Sequence, residues 1–159
     1  MSLLKIRQLG DPVLRQKSEP VSAIGEEEKK LAQDMIETMY FAEGVGLAAN
    51  QIGVAKRMIV ISPTNRRGEE TVIFNPEISN QEGSATDREG CLSVPGVTES
   101  VRRFHRLTLK GLTLDGKSKI WNLEDFPAVV VQHEIDHING ILFIDYLKGW
   151  QKRRTGRLL

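Results

Sequence analysis

Apolar residues recur at helical spacing between Glu26 and Phe41, where Leu31, Met35, Ile36 and Met39 share one stripe. The acidic run Glu26-Glu27-Glu28 sits where the positive end of a helix dipole favours it, so the pattern predicts a helix over 26–41. Gly44 and Gly46 then break the periodicity. Met58–Ile61 and Thr71–Phe74 are short, β-rich apolar runs bounded by turn residues, and they predict strands. Val101–Leu114 and Lys119–Trp121 predict further strands, with Asp115-Gly116 as the tight turn of a hairpin. Near the start, Asp11-Pro12-Val13-Leu14 predicts a helical turn with Asp11 as its cap and Pro12 at its first position.

A second helix is expected to begin at Pro127, just after Glu124 and Asp125, and to stop at Asn139-Gly140. Its four consecutive apolar residues, Ala128 to Val131, imply burial on nearly all sides. Two histidines and two acids near the end of a buried helix demand a chemical reason, because unpaired polar groups inside a protein are costly. The stretch from Leu147 to Arg157 is basic and reads as a short helix. These elements predict an α+β fold, with antiparallel β-sheets wrapped around a central buried helix that carries the His-Glu-x-x-His motif.

The 159 residues suit a single domain spanning 1–159, and no repeat or linker interrupts them. With 22 basic residues against 21 acidic ones, the chain has no global field to draw DNA or a membrane surface. No long apolar run follows the N-terminus, so neither a signal peptide nor a membrane span is expected. Cys91 is the single cysteine, which excludes an internal disulfide and points to a reducing compartment.

The sharpest chemical signal is His133-Glu134-Ile135-Asp136-His137. Positions i and i+4 share a helical face, so both imidazoles can reach one ion while Glu134 lies beside them. The bland alternative is a pair of hydrogen-bonded histidines at a helix end. A catalytic site needs a third protein ligand and an open position. Six residues beyond His137 stands Phe143, and no glutamate follows Glu134, so the third ligand is sought upstream, at Cys91 or His105. Cys91 is preferred, because its glycine- and proline-bounded loop, Glu89-Gly90-Cys91-Leu92-Ser93-Val94-Pro95-Gly96, permits close backbone approach. A lone cysteine is otherwise most often a small buried apolar residue. His105 lies among Arg102, Arg103 and Arg106, where a surface role is the simpler reading.

Gly44-Val45-Gly46-Leu47-Ala48-Ala49-Asn50-Gln51-Ile52-Gly53, Glu89-Gly90-Cys91-Leu92-Ser93 and Gln132-His133-Glu134-Ile135-Asp136-His137 together resemble the three signatures of the peptide deformylases, in family order. The resemblance runs from Gly10 to Asp145. It implies removal of the N-formyl group from the N-terminal formyl-methionine of newly made polypeptides, with release of formate. It further implies that Cys91, His133 and His137 hold one divalent metal ion whose bound water attacks the formyl carbon. Ferrous iron is favoured, and zinc, nickel and cobalt suit the same donors. Glu134 would be the general base and acid, while the Gln51 side chain and the Leu92 amide would stabilise the oxyanion. Val45, Gly46, Gly90 and Leu92 would offer backbone groups to an extended peptide, and Val45, Glu89, Phe126 and Val129 would line the methionine pocket. The expected partners are N-formylmethionyl nascent peptides, with weak ribosome contact through the basic tail Lys148, Lys152, Arg153, Arg154 and Arg157. The tail's plainer reading is a solvated helix face. The expected location is a bacterial-type cytoplasm, a phage or organelle origin staying open.

Three positions depart from the family pattern: Asp125 stands where many relatives carry glycine, Pro127 replaces an ordinary helix former, and Asp87 is more polar than usual beside the groove. Asp136 is expected to pair with an arginine such as Arg103, and Trp121 and Trp150 to serve packing or surface roles. The rival readings are a general metallopeptidase and a non-catalytic protein with a structural metal.

Overall fold

The computed structural model describes residues 2–156. Its elements run in the order α1 (Glu26–Phe41), β1 (Gly46–Ala48), β2 (Met58–Ile61), β3 (Thr71–Glu82), β4 (Ala85–Cys91), β5 (Val94–Arg103), β6 (Arg106–Leu112), β7 (Ser118–Glu124), α2 (Asp125–Ile138) and α3 (Gly149–Thr155). Three 3-10 turns, Pro12–Arg15, Ala49–Ile52 and Phe143–Tyr146, connect them. The first is capped as its sequence requires, the Asp11 carboxylate accepting from the Val13 amide at 3.1 Å.

A five-stranded antiparallel sheet, ordered β1-β2-β3-β6-β7, divides the interior. The period-2 alternation of β2 explains how. Met58 and Val60 face α1, joining Met35 and Met39, whereas Ile59 and Ile61 face α2, joining Val131 and Ile135. Central strands buried on both faces need continuous apolar sequence, and β2 reads Met-Ile-Val-Ile. The central helix is thus α2, held between the sheet and the first two 3-10 turns, and the fold is the expected α+β arrangement.

The second sheet, β4 paired with β5, was not legible as strands. Its residues 86–89 read Thr-Asp-Arg-Glu, without the apolar alternation that marks a half-buried strand. Cys91 therefore closes a strand instead of sitting in a loop. The expected Val101–Leu114 strand is two strands, broken at Phe104-His105, where the His105 amide bonds to Glu82 and the His105 carbonyl accepts from Asp125. That second bond also starts α2 at Asp125, two residues before Pro127. Asp125 adopts φ 60°, a left-handed conformation that glycine would take without strain.

The C-terminal tail is more than a solvated face. Arg154 pairs through two nitrogens with Glu99, whose side chain is 1% exposed, and this fastens α3 to β5. Trp150 is exposed with the Arg154 guanidinium over its ring, and Trp121 packs at the edge of the α2 core. Arg157 lies outside the described residues.

Candidate metal centre and cleft

Two elements meet at the centre. Helix α2 brings His133 and His137 to one face, and the end of β4 brings Cys91 against them. A register break does the aiming: between the Gly90–Thr98 and Cys91–Val94 pairs, Pro95, Gly96 and Val97 of β5 have no opposite residue. Such bulges re-aim a side chain beside a site. Cys91 Sγ lies 3.1 Å from His137 Nε2, which lies 3.2 Å from His133 Nε2. All three donor atoms lie within 4.8 Å of one another. His105 is elsewhere, its Nε2 2.7 Å from Asp125 Oδ1 at the start of α2.

The neighbours orient these donors. Glu89 Oε1 lies 2.9 Å from His133 Nδ1, a contact that orients the ring and leaves Nε2 facing the other two donors. Both Glu89 oxygens accept from Arg103 at 2.8 Å, and Arg103 reaches on to Asp136 at 2.6 Å, the pairing expected for Asp136. Burial pushes the Glu89 carboxyl up, but Arg103 and His133 outweigh it and hold the group below the usual carboxylate range. Glu89 lines the cleft, yet its oxygens are taken, so it braces His133 more than it offers a free contact. The Ser93 amide donates to Cys91 Sγ at 3.4 Å and helps to fix the sulfur in place. Ser93 stands in the Cys91 signature without a role read from it, and Arg103 was expected beside Asp136 but not beside Glu89.

A soft sulfur and two imidazole nitrogens this close suit one divalent ion at bond lengths of about 2.0–2.3 Å. Buried polar atoms left over support the fit. His137 Nδ1 and Glu134 Oε1 have no partner among the described residues. Glu134 is 4% exposed, and burial pushes its carboxyl up to about 7 in the metal-free protein. Gly46 is what leaves it room, since a Cβ there would strike the Glu134 carboxylate.

Gln51 is held in one orientation. Its Oε1 accepts from the Ala48 amide at 2.9 Å, which turns Nε2 toward Ser93 Oγ at 3.1 Å and Cys91 Sγ at 3.7 Å. A cleft of about 480 Å³ opens onto the centre, lined by Val45, Gly46, Gln51, Glu89, Gly90, Cys91, Leu92, Phe126, Val129, His133 and Glu134, among others. Every candidate residue but His137 is in that lining. Leu92 lies in the turn between β4 and β5, and Phe126 stands at the rim, 45% exposed. Strand β1 has an open edge beside the cleft.

A sequence model of the polypeptide deformylase family matches residues 3–153. The chain belongs to the polypeptide deformylase family. Its members are enzymes, which removes the reading as a non-catalytic metal protein. The chain is 52% identical over 145 residues to a peptide deformylase of Halothermothrix orenii, an alignment covering 91% of this chain and 94% of that one. It is 43% identical to a peptide deformylase of Alkalilimnicola ehrlichii, over 100% of this chain and 90% of the other. The crystal structure of a peptide deformylase from Legionella pneumophila superposes with a TM-score of 0.94 at 43% identity, covering 98% of this chain and 92% of that one. The deformylase fold accounts for the whole span from the first 3-10 turn to α3.

Proposed function

We propose that this chain is a one-domain hydrolase that removes the formyl group from the N-terminal formyl-methionine of new polypeptides and releases formate. The observation that carries the reading is the convergence of Cys91, His133 and His137, the first two lining a cleft that also holds Glu134, whose Oε1 has no partner among the described residues. Cys91, His133 and His137 would hold a divalent ion, for which ferrous iron is our choice over zinc, nickel or cobalt. Such an ion supplies Lewis acidity, lowering the pKa of water and polarising a carbonyl.

The chain's own groups do the rest. Glu134, buried beside the donors with an unpartnered oxygen, accepts a proton from water and delivers it to the departing amine. Gln51, its amide fixed by Ala48, donates to the oxygen as negative charge builds, and the Leu92 amide donates from the β4–β5 turn. The open edge of β1 at Gly46, with Val45 just before it and Gly90 on β4, takes the peptide as an added strand. Val45, Phe126 and Val129 enclose the methionine side chain, with Glu89 behind them. Substrates of this kind are made in a bacterial-type cytoplasm, where we place the enzyme. Among the described residues no helix is long and apolar enough to cross a membrane.

The test is formate release from formyl-Met peptides by anaerobically purified, metal-assayed enzyme. Formate without internal cleavage of unblocked peptides separates deformylation from general peptidase action. Cleavage of internal bonds in place of formate release would overturn the proposal. Weak ribosome contact through Lys148, Lys152 and Arg153 is a further part of it, and an absence of salt-sensitive binding to ribosomes removes that part.

A further inference from the structure

The mouth of the cleft carries a cation that the proposed chemistry leaves unused. Arg88 projects from β4, is exposed, and lines the cleft three residues before Cys91. Its Nη2 donates to the Thr98 carbonyl at 2.9 Å and to Thr98 Oγ1 at 2.8 Å. Both acceptors are neutral, and among the described residues Arg88 forms no ion pair, unlike Arg103, whose charge Glu89 and Asp136 balance. The guanidinium is therefore pinned in place with its charge uncompensated and several of its five N–H donors free. A group already held still loses little freedom when a ligand arrives.

Position along the strand says what it meets. Arg88 leaves β4 two residues before Gly90, and its guanidinium folds back onto Thr98, opposite Gly90, so the charge lies within two residues of strand (roughly 7 Å) of that glycine. A peptide paired with Gly90 and running out of the cleft reaches that point about two residues beyond its methionine. Thr98, which tethers the guanidinium, is the residue opposite Gly90 on β5. Another charge at the mouth is Glu43, on the α1–β1 loop, also without an ion pair among the described residues. The two signs come from different elements, so a side chain turned toward β4 meets the positive one.

We infer that Arg88 is a specificity-determining residue that favours substrates with an acidic side chain about two residues after the formyl-methionine. The inference rests on the deformylase reading and deepens it. The contact is solvent-exposed, so its effect on kcat/KM is about two- to five-fold, and salt reduces it. It lies away from the reacting atoms and is carried by KM, not kcat.

The test compares formyl-Met-Ala-Xaa-amide peptides with Xaa as Glu, Gln or Lys on the metal-loaded enzyme. The expected order of kcat/KM is Glu above Gln above Lys. The Glu-to-Lys ratio falls to near one in Arg88→Gln, inverts in Arg88→Glu, rises in Glu43→Gln, and shrinks in 0.5 M salt for the native enzyme (about a 4 Å screening length). A second readout needs no variant: Met-Ala-Glu-amide should inhibit the native enzyme more tightly than Met-Ala-Lys-amide. A Glu-to-Lys ratio unchanged by Arg88→Gln, or equal inhibition by the two products, overturns the role of Arg88 while formate release stands. No formate from any of the three peptides overturns the deformylase reading itself, and this inference with it.

Discussion

Gly46 lies directly against the carboxylate of Glu134, so close that no other residue's Cβ fits between them. On the proposed reading, this contact sets the edge strand for the peptide and the acid for the proton against each other. Gly46→Ala must displace one or the other. Misplacing a reacting group by about 1 Å costs on the order of 100-fold, so we expect that loss in kcat/KM with metal content unchanged. Metal analysis beside the formate assay checks it, and full activity in this variant would show that the contact is slack.

Removal of the acid itself is more severe. Glu134→Ala leaves Cys91, His133 and His137 in place, so it retains metal. Turnover should fall by roughly 100- to 10,000-fold, the range for a positioned acid–base group. Comparable activity in the variant ends the proton role.

Cys91→Ser replaces a soft sulfur by a hydroxyl and should weaken metal binding in an equilibrium competition with a chelator. His105→Ala is the matching control. His105 is bound to Asp125 at the start of α2 and is remote from the donors, so metal content should not change. Loss of metal in the control, with retention in Cys91→Ser, reverses the ligand assignment.

Arg103 has a side chain 4% exposed between Glu89 and Asp136. Arg103→Met strands two carboxylates without their cation, and breaking a buried pair this way costs about 3–5 kcal/mol. Thermal unfolding should show it as a large drop in Tm. Glu89→Ala keeps a milder fold but frees His133 Nδ1, and metal affinity should fall about 10- to 100-fold.

The α3 clasp should open in acid. Hydrogen bonds from Arg154, working against burial, hold Glu99 down from its ordinary 4.5 to about 2. A carboxyl depressed in the folded state adds stability above its unfolded value and loses it as pH falls through the folded one. The clasp is therefore intact above pH 4.5 and fades between there and about 2. Unfolding midpoints measured against pH should slope in that window for the native chain and be flatter for Glu99→Gln.

The sequence was most readable where one physical signal acted alone. Helix α1 announced itself through a clean stripe and an acidic start, and its bounds are those the pattern predicts. The paired histidines and Cys91 were readable because few other arrangements give such donors a purpose. Sheet β4–β5 was hidden because a two-stranded sheet with a wet face needs no apolar alternation. The start of α2 was hidden because His105, twenty residues earlier, holds it through its carbonyl. Arg154 looked like tail charge because its partner, Glu99, lies on another strand. Tertiary pairings of this kind leave no local trace.

Strand β1 is three residues long and lies at the rim of its sheet. So brief a template can accept only a short stretch of backbone, and only one whose own amides and carbonyls are still unspent. A terminus already wound into a helix or stitched into a sheet has nothing to offer it. Under the proposed binding mode the architecture acts as a clock: the reaction would belong to the interval between a chain's first appearance and the moment its beginning folds away.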